Sequence, residues 1–404
     1  MNIRDYALCT LLVTASVSAT DSISPGHYLA QVSDCGACHT AAKGAPFAGG
    51  LKIETPIGAI YSTNITPDVQ TGIGSYTYED FARAVREGKA RDGHYLYPAM
   101  PYTAFSTFDD QQLRDLYHYF TQEVPAVHQV NRASDIRWPL NMRWPLAVWN
   151  LLFYNDERYL YDPLKSAEWN RGAWLVQGPG HCGSCHTPRG IALQEKGHDF
   201  NDSDYLTGGT IGGWHAPDLR GDPIRGLGNW SQKDIVAFLK TGENDRAMAF
   251  GSMTDVVEQS TQHMTEADLN AIALYLKSLP AKTPRITPTY KDYADMNSPG
   301  AALYQDNCAA CHRSDGEGYA HTFPALAGNP ALLAEDPSSL ISMVLQGGEA
   351  AVTKRAKTGM RMPGFGWRLT DEQVAGLSNF VRNSWGNQAS EVTAEQVKKR
   401  RKGE

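Results

Sequence analysis

The sequence lacks the features of several large protein classes. Beyond the N-terminal segment, no stretch approaches the ~20 apolar residues that a membrane-spanning helix needs. No strand–helix unit carries the glycine-rich turn of a dinucleotide-binding domain, and the scattered His, Asp and Glu residues form no recognisable catalytic arrangement. The formal net charge of -7 over 404 residues is small. Nothing therefore favours nucleic acid as a partner.

The N-terminus has the pattern of a secretory signal peptide. Arg4 precedes an apolar stretch that ends at Val17, and the small residues that follow offer a cleavage site. The alternative is an ordinary apolar helix, but polar residues from Thr20 onwards end the stretch too early for a core element. We therefore predict that residues 1–19 are removed and that the mature chain is exported.

Cysteine is scarce, and its placement is informative. Cys9, one of seven cysteines, lies inside the predicted signal peptide. Six remaining cysteines in an exported chain would normally suggest a disulfide framework. The six cysteines fall instead into three pairs, and each pair has the same local form, Cys-x-x-Cys-His. The three motifs are Cys35-Gly-Ala-Cys38-His39, Cys182-Gly-Ser-Cys185-His186 and Cys308-Ala-Ala-Cys311-His312.

This motif is the attachment signature of c-type haem. Two cysteines three residues apart lie on one side of a helical turn, so both can reach the vinyl groups along one edge of the porphyrin. The adjoining histidine is then aimed at the iron. Zinc usually takes four ligands from paired knuckles, and three thioredoxin-like dithiols, each followed by His, would be unusual. The sequence therefore predicts three covalently bound haems c.

The chain around the motifs also repeats three times. A glycine and an aromatic residue precede each motif, namely Gly26 with Tyr28, Gly172 with Trp174, and Gly300 with Tyr304. A helix with an acidic start and an apolar stripe follows each motif, over Asp109 to Phe120, Thr265 to Leu279 and Thr370 to Val381. We expect the glycine to let the last helix of each repeat cross the first closely.

The predicted fold is all-α, with three tandem cytochrome c-like domains that each wrap around one haem. The predicted domains span 20–125, 166–282 and 297–388. A Trp/Pro-rich linker covers 126–165, a second linker covers 283–296, and a basic tail covers 389–404.

The repeats resemble class I cytochrome c domains, which usually supply a methionine as the second axial ligand of the iron. In the first repeat Met100 is the only candidate, and it precedes a proline, a common context for such ligands. In the third repeat Met362 also precedes a proline, and we prefer it to Met360 and Met343. Iron held by histidine and methionine has no open position, so its natural task is to pass single electrons.

The second repeat departs from that pattern. Met248, Met253 and Met264 all lie in the window, and none precedes a proline. We predict Met253 as the ligand, and the alternative for any of these methionines is that it fills the core.

The whole mature chain resembles the three-haem cytochrome c subunit of bacterial membrane-bound dehydrogenases. The resemblance rests on residues 34–40 (DCGACHT), 58–68 (GAIYSTNITPD), 97–102 (YPAMPY), and 168–172 (EWNRG) leading to 187–189 (TPR). It implies a catalytic subunit, with a small accessory subunit, that gives electrons to the haems on the periplasmic side of the cytoplasmic membrane. It also implies ubiquinone as acceptor and peripheral attachment without a membrane span.

The resemblance leaves several functions open. A flavoprotein partner of the gluconate 2-dehydrogenase type is favoured because the tail after the third domain is short. A quinoprotein alcohol dehydrogenase is the alternative partner. Two further alternatives are not dehydrogenase subunits at all. They are a free-standing multihaem enzyme such as a peroxidase, and a soluble electron carrier with no fixed partner.

Two segments between and after the domains have more than one interpretation. Residues 137–146 contain a doubled Arg-Trp-Pro-Leu, which either packs the first two domains together or contacts the membrane or quinone. The five basic residues at 398–402 are either solvated or held near anionic lipid.

Overall fold

The computed structural model describes residues 23–282 and 296–403 of the chain. The predicted signal peptide at 1–19, with Cys9, and all but the last residue of the predicted linker at 283–296 lie outside the described residues. The described chain is mostly helical, and each of its three Cys-x-x-Cys-His motifs follows a helix that a later helix crosses. We call residues 23–165 the first unit, 166–282 the second unit and 296–403 the third unit.

The first unit combines helices with a small antiparallel sheet. The helices are α1 (Pro25–Val32), α2 (Cys35–His39), α3 (Tyr78–Glu87), α4 (Tyr102–Phe105), α5 (Asp110–His118) and α6 (Pro145–Phe153). A π-helical turn at Tyr119–Glu123 extends α5. The strands β1 (Lys52–Thr55), β2 (Gly58–Tyr61) and β3 (Asp135–Ile136) pair in the order β1-β2-β3.

The second unit has the same plan around a shorter hairpin. Its helices are α7 (Ala167–Gln177), α8 (Gly183–His186), α9 (Gln232–Thr241), α10 (Ser252–Gln259) and α11 (Glu266–Ser278), with a 3₁₀ turn at Thr261–His263. The hairpin pairs β4 (Gly209–Ile211) with β5 (Trp214–Ala216).

The third unit again begins and ends its core with long helices. Its helices are α12 (Pro299–Asn307), α13 (Ala309–His312), α14 (Pro330–Leu333), α15 (Ser338–Gln346), α16 (Asp371–Arg382) and α17 (Ala394–Arg401). Its hairpin pairs β6 (Gly347–Glu349) with β7 (Arg361–Pro363).

In each unit the first helix crosses a later helix at a glycine: α1 crosses α5, α7 crosses α11 and α12 crosses α16. A Cβ built on these glycines would lie 1.9 Å from the Asp115 carbonyl oxygen at Gly26, 1.9 Å from the Ala271 oxygen at Gly172, and 2.4 Å from the Gly376 oxygen at Gly300. No real side chain approaches a carbonyl oxygen so closely, so only glycine permits these crossings. The predicted close crossing is confirmed in all three units.

The helices α5, α11 and α16 each begin directly after the residue that caps them. Thr265 and Thr370 accept hydrogen bonds from the backbone N–H three residues on, and Asp109 does the same for α5. These side chains satisfy backbone donors that the first turn of a helix leaves free.

Two features differ from the predicted architecture. The all-α prediction missed three small sheets, because strands of two to four residues are too short to show an alternating pattern. The first and second units also share one continuous hydrophobic core, whereas the third unit has its own.

A polar junction also joins the first two units. The Tyr28 hydroxyl donates to Asp268 Oδ2 at 2.7 Å, and the Arg171 guanidinium donates to both oxygens of the same carboxylate at 2.7 and 2.8 Å. Burial acts to raise the pKa of Asp268, but these hydrogen bonds outweigh it and keep the pKa below its usual value.

Candidate haem-binding sites

Each Cys-x-x-Cys-His motif forms a short helical turn that follows the first helix of its unit. The first motif forms α2. The second and third form α8 and α13, and the first cysteine of each, Cys182 and Cys308, directly precedes its helix. None of the six motif cysteines is paired in a disulfide. The motifs are therefore presented in the helical conformation that thioether attachment to a porphyrin requires.

The three motif histidines share one hydrogen-bonding pattern. The Nδ1–H of His39 donates to the Thr63 carbonyl at 2.7 Å, that of His186 to Pro217 at 2.7 Å, and that of His312 to Pro324 at 3.0 Å. A histidine that donates from Nδ1 to a carbonyl presents the lone pair of Nε2, as metal-bound histidines do.

Burial keeps these imidazoles in the neutral form that binds metal. It lowers the pKa of His186 to about 4 and also lowers the pKa of His39 and of His312. At neutral pH each ring therefore offers one unprotonated nitrogen.

Burial disfavours the thiolate form of Cys35, Cys38 and Cys182. Burial raises the pKa of Cys35 and of Cys182 to about 12, and that of Cys38 to about 11. Thiolates are the reactive form in disulfide exchange and in zinc binding, so this environment does not favour either chemistry. Across 23–282 and 296–403, no three His, Cys, Asp or Glu side chains come together as a metal-binding group.

The second motif opens into an apolar cavity of about 220 Å³. Cys182, Cys185 and His186 line it together with Met248, Met253 and Met264, and Leu175, Trp230, Phe238 and Leu276 contribute to its walls. Imidazole and thioether donors in an apolar enclosure are the set that holds haem iron. The residues present therefore fit a covalently attached haem.

The chain that leads to Met100 in the first unit forms a closed loop. Helix α3 ends at Gly88, which adopts the left-handed conformation. The backbone N–H of Leu96 then donates to the Gly88 carbonyl at 2.7 Å, and Met100 follows Leu96 by four residues. Met100 packs against the shared core of the first two units.

The second unit repeats this loop and separates its three methionines. Helix α9 ends at left-handed Gly242, and the N–H of Ala249 donates to the Gly242 carbonyl at 2.7 Å. Met253 follows Ala249 by four residues, so it occupies the position of Met100, whereas Met248 lies in the bridge that closes the loop. Met264 is 2% exposed and directly precedes the capping residue of α11.

In the third unit two candidate methionines lie on the same face of the hairpin. Met362 is opposite Gly348 in the β6–β7 register, and a Cβ at Gly348 would lie 2.8 Å from the Met343 sulfur. Paired residues of an antiparallel sheet share a face. Met360 pairs through its backbone with Ala350, beyond the last residue of β6.

Comparison with known proteins agrees with this geometry. The family model of cytochrome c matches residues 170–280 and 298–385. The gluconate 2-dehydrogenase cytochrome c subunit of Pantoea cypripedii is 49% identical over 400 residues, which are 95% of this chain and 90% of the relative. The cytochrome c subunit of the quinone alcohol dehydrogenase of Gluconobacter oxydans strain 621H is 46% identical over 395 residues, with coverage of 94% and 82%.

A third relative extends the group. The fructose dehydrogenase cytochrome subunit of Gluconobacter japonicus is 39% identical over 411 residues, which cover 95% of this chain and 83% of the relative. The chain belongs to the family of dehydrogenase cytochrome c subunits. It is thus an electron-transfer subunit of a dehydrogenase, as the sequence predicts. No helix within the described ranges is both long and apolar enough to cross a bilayer.

Sequence reasoning missed the carbonyl groups that orient the histidines of this cytochrome c subunit. The acceptors lie 24, 31 and 12 residues after His39, His186 and His312. Because the spacing varies and a backbone carbonyl leaves no mark on residue type, no signal in the sequence could have identified them.

The second haem-binding cavity of this cytochrome c subunit is bounded by all three units. Val32 and Asp34 of the first unit and Pro330 and Ser339 of the third unit contribute to its lining. The Ser339 hydroxyl accepts from the His215 N–H at 2.8 Å and donates to the His215 carbonyl at 2.9 Å. The second motif therefore lies between the other two units.

The linker at 126–165 contributes both to packing and to the surface. Trp149 on α6 donates from its indole to the Ala192 carbonyl of the second unit at 2.9 Å, so part of the linker joins the first two units. Trp138 and Trp144 of the doubled motif are, in contrast, 78% and 66% exposed.

The basic tail is folded. Residues 394–401 form α17, whose Val397 is fully buried. Arg401 donates to the Leu369 carbonyl at 2.9 Å and pairs with Asp371 at 2.7 Å. Within the run at 398–402, Arg400 and Arg401 therefore bond to the protein, whereas Lys398, Lys399 and Lys402 are exposed.

Proposed function

We propose that this chain carries three haems c and passes electrons from a periplasmic dehydrogenase catalytic subunit to ubiquinone in the cytoplasmic membrane. The main support is the hydrogen-bonding pattern of His39, His186 and His312, which leaves Nε2 of each ring available for iron. The first motif lies outside the residues matched by the cytochrome c family model. The count of three therefore rests on the same motif, helix crossing and histidine geometry recurring in the first unit.

The proposed axial ligands are His39 with Met100, His186 with Met253, and His312 with Met362, and the proposed thioether residues are Cys35, Cys38, Cys182, Cys185, Cys308 and Cys311. Haem c, when bound, supplies a one-electron couple. The protein supplies the ligands, an apolar enclosure that limits water, and helices that fix orientation. If a histidine and a methionine hold each iron, no coordination position at these sites would remain open for a substrate.

The haem count has a direct test. We expect the denatured mature chain to be heavier by three haem groups, and Cys182→Ala/Cys185→Ala to be heavier by two. The measurement is intact-protein mass spectrometry together with the pyridine haemochrome spectrum. A mass that fits any other number would contradict the proposal, and rapid stoichiometric binding of carbon monoxide to one reduced haem would favour the peroxidase-like alternative.

The partner is proposed as a flavoprotein that oxidises gluconate, with a quinoprotein alcohol dehydrogenase as the alternative. The gluconate relative is 49% identical and the alcohol dehydrogenase relative from Gluconobacter oxydans 46%, so the preference is slight. Affinity purification of the tagged chain from membranes would decide. Haem reduction by gluconate but not by ethanol supports the flavoprotein partner, and reduction by ethanol but not by gluconate supports the quinoprotein partner. If no larger chain co-purifies, the result supports a soluble carrier.

Peripheral membrane attachment is supported by an apolar surface on the linker. We call it the α6 surface and define it by Trp138, Leu140, Trp144, Val148, Leu151 and Leu152, all of which are exposed. The four residues on and just before α6 recur at helical spacing, so they share one face. Tryptophan with aliphatic neighbours suits the boundary between lipid and water.

The α6 surface also lies next to the loop that carries Met100. The Tyr97 hydroxyl donates to the Leu140 carbonyl at 3.1 Å, and Arg143 donates to the Tyr95 carbonyl at 3.0 Å. Attachment through this surface would bring the first haem close to the depth at which ubiquinone is found.

We expect Trp144→Ser/Leu151→Ser to weaken vesicle binding by about tenfold or more, because each side chain contributes on the order of 1 kcal/mol when it enters lipid. The measurement is co-sedimentation with phosphatidylcholine vesicles. The matched control is Trp367→Ser/Val69→Ser, which removes a tryptophan and an aliphatic residue that are also mostly exposed but lie elsewhere. Equal losses in both variants would rule out a specific α6 attachment.

A further inference from the structure

The third unit exposes a tryptophan close to its proposed axial methionine. Trp367 is 85% exposed and follows Met362 by five residues. Phe365, two residues earlier, packs against the core of the third unit. The same short segment thus anchors one aromatic side chain and presents the other to solvent. A single exposed apolar residue needs no explanation. Trp367, however, lies beside a basic helix that hydrogen bonds hold in place.

Helix α17 is fixed against this segment. The Arg401 guanidinium donates to the Gly366 carbonyl, directly before Trp367, and to the Leu369 carbonyl directly after Arg368. Arg400 donates to the Ser342 hydroxyl on α15 at 2.6 Å. Together with buried Val397, these contacts hold the basic helix in one position beside the Met362 loop.

The outward face of α17 carries unpaired positive charge. Val397 is buried, and Arg400 and Arg401 are hydrogen-bonded to the protein, whereas Lys398, Lys399 and Lys402 are exposed. Arg361 and Arg368 add exposed charges on either side of Met362 and Trp367. Carboxylates in the same segments are fewer: Asp371 is paired with Arg401, and Glu349, Glu372, Glu391 and Glu395 are exposed.

This positive region stands out because the whole chain has a net charge of -7. A patch of positive charge on a negatively charged protein orients a charged partner as the two proteins meet. Tryptophan and arginine are also the residues most enriched at the energetic centre of protein interfaces.

We propose that Trp367, Arg361, Arg368, Lys398, Lys399 and Lys402 form a docking surface for an acidic face of a protein redox partner that exchanges electrons with the third haem. The inference rests on the proposed function and assigns one surface to the partner. One aromatic side chain among charges fits a protein surface, whereas the α6 surface, with its several aliphatic residues, fits lipid. Docking here would place the partner beside the Met362 loop.

The test uses the full holo chain and the catalytic subunit that co-purifies with it, separated and then recombined. At low ionic strength we expect Lys398→Glu/Lys399→Glu to slow haem reduction by that subunit and its substrate by about tenfold or more. The dependence of the rate on salt should also become weaker, because the steering charges are reversed. Trp367→Ser should slow reduction at all salt concentrations, whereas Trp367→Phe should largely retain the rate.

The matched control is Lys196→Glu/Lys233→Glu, which makes the same charge change at exposed positions of the second unit. Reduction by dithionite and the haem spectra should be unchanged in every variant, which excludes misfolding as the cause. Equal rates and salt dependence in the two double variants would overturn the inference. If Lys398→Glu/Lys399→Glu loses binding to phosphatidylserine vesicles while haem reduction is unchanged, the inference is also overturned. The surface would then be a lipid-binding surface. If the recombined wild-type proteins show no reduction at all, the proposed function fails instead.

Discussion

Replacement of Met100 or Met362 by histidine is expected to lower the potential of that haem by a sizeable part of the ~0.8 V range that axial ligation spans. A thioether stabilises ferrous iron relative to ferric iron, and a second imidazole removes that preference. The fold should persist, because the substituted side chain still occupies the axial position. Spectroelectrochemical titration of the holo chain measures the three potentials.

The second unit allows the sharpest form of this experiment. Met253→His should shift one potential, while Met248→Leu and Met264→Leu should leave all three close to wild type. In the third unit Met343→Leu is the matched control, since its sulfur lies beside Gly348 on the face shared with Met362. A large shift in a control variant, or none in Met253→His, would mean that another methionine holds the iron.

Gly172→Ala is expected to prevent the second unit from folding stably, with a loss above about 4 kcal/mol. The added methyl group would lie 1.9 Å from the Ala271 carbonyl oxygen, so α7 and α11 would have to separate. These helices build the core that also supports the first unit. Urea unfolding followed at the Soret band, together with the yield of attached haem, measures the effect.

Gly376→Ala is the control for the same chemical change. A Cβ at Gly376 in α16 meets no atom within 4 Å, and alanine is favoured over glycine inside a helix by about 0.5–1 kcal/mol. We therefore expect a slight gain in stability. Equal unfolding midpoints for Gly172→Ala and wild type would show that the helices do not cross as described.

Several features of the site follow from the sequence because they are local. The Cys-x-x-Cys-His spacing needs one helical turn, and that turn forms in all three units. The capping side chains of Thr265 and Thr370 accept from backbone N–H groups three positions on. The crossing glycines were also predictable, since a glycine at the same place in three repeats marks a close approach of backbone.

The structural support for Met253 in the second unit comes from longer contacts. Met253 has no adjacent proline to mark it, and its match to Met100 became visible only through the backbone bonds that close the loops after Gly88 and Gly242. The acceptors for the motif histidines were hidden for the same reason, because a carbonyl oxygen belongs to every residue.

The sequence by itself determined that three motifs of one chemistry recur in three similar helical units, because motif spacing, helix caps and apolar periodicity each depend on a few neighbouring residues. The tertiary structure decided which surfaces stay exposed, as at Trp144 and Trp367, that the first two units share a core, and that the basic tail packs as a helix. Those outcomes depend on which distant side chains meet, and the pattern within a segment does not contain that information.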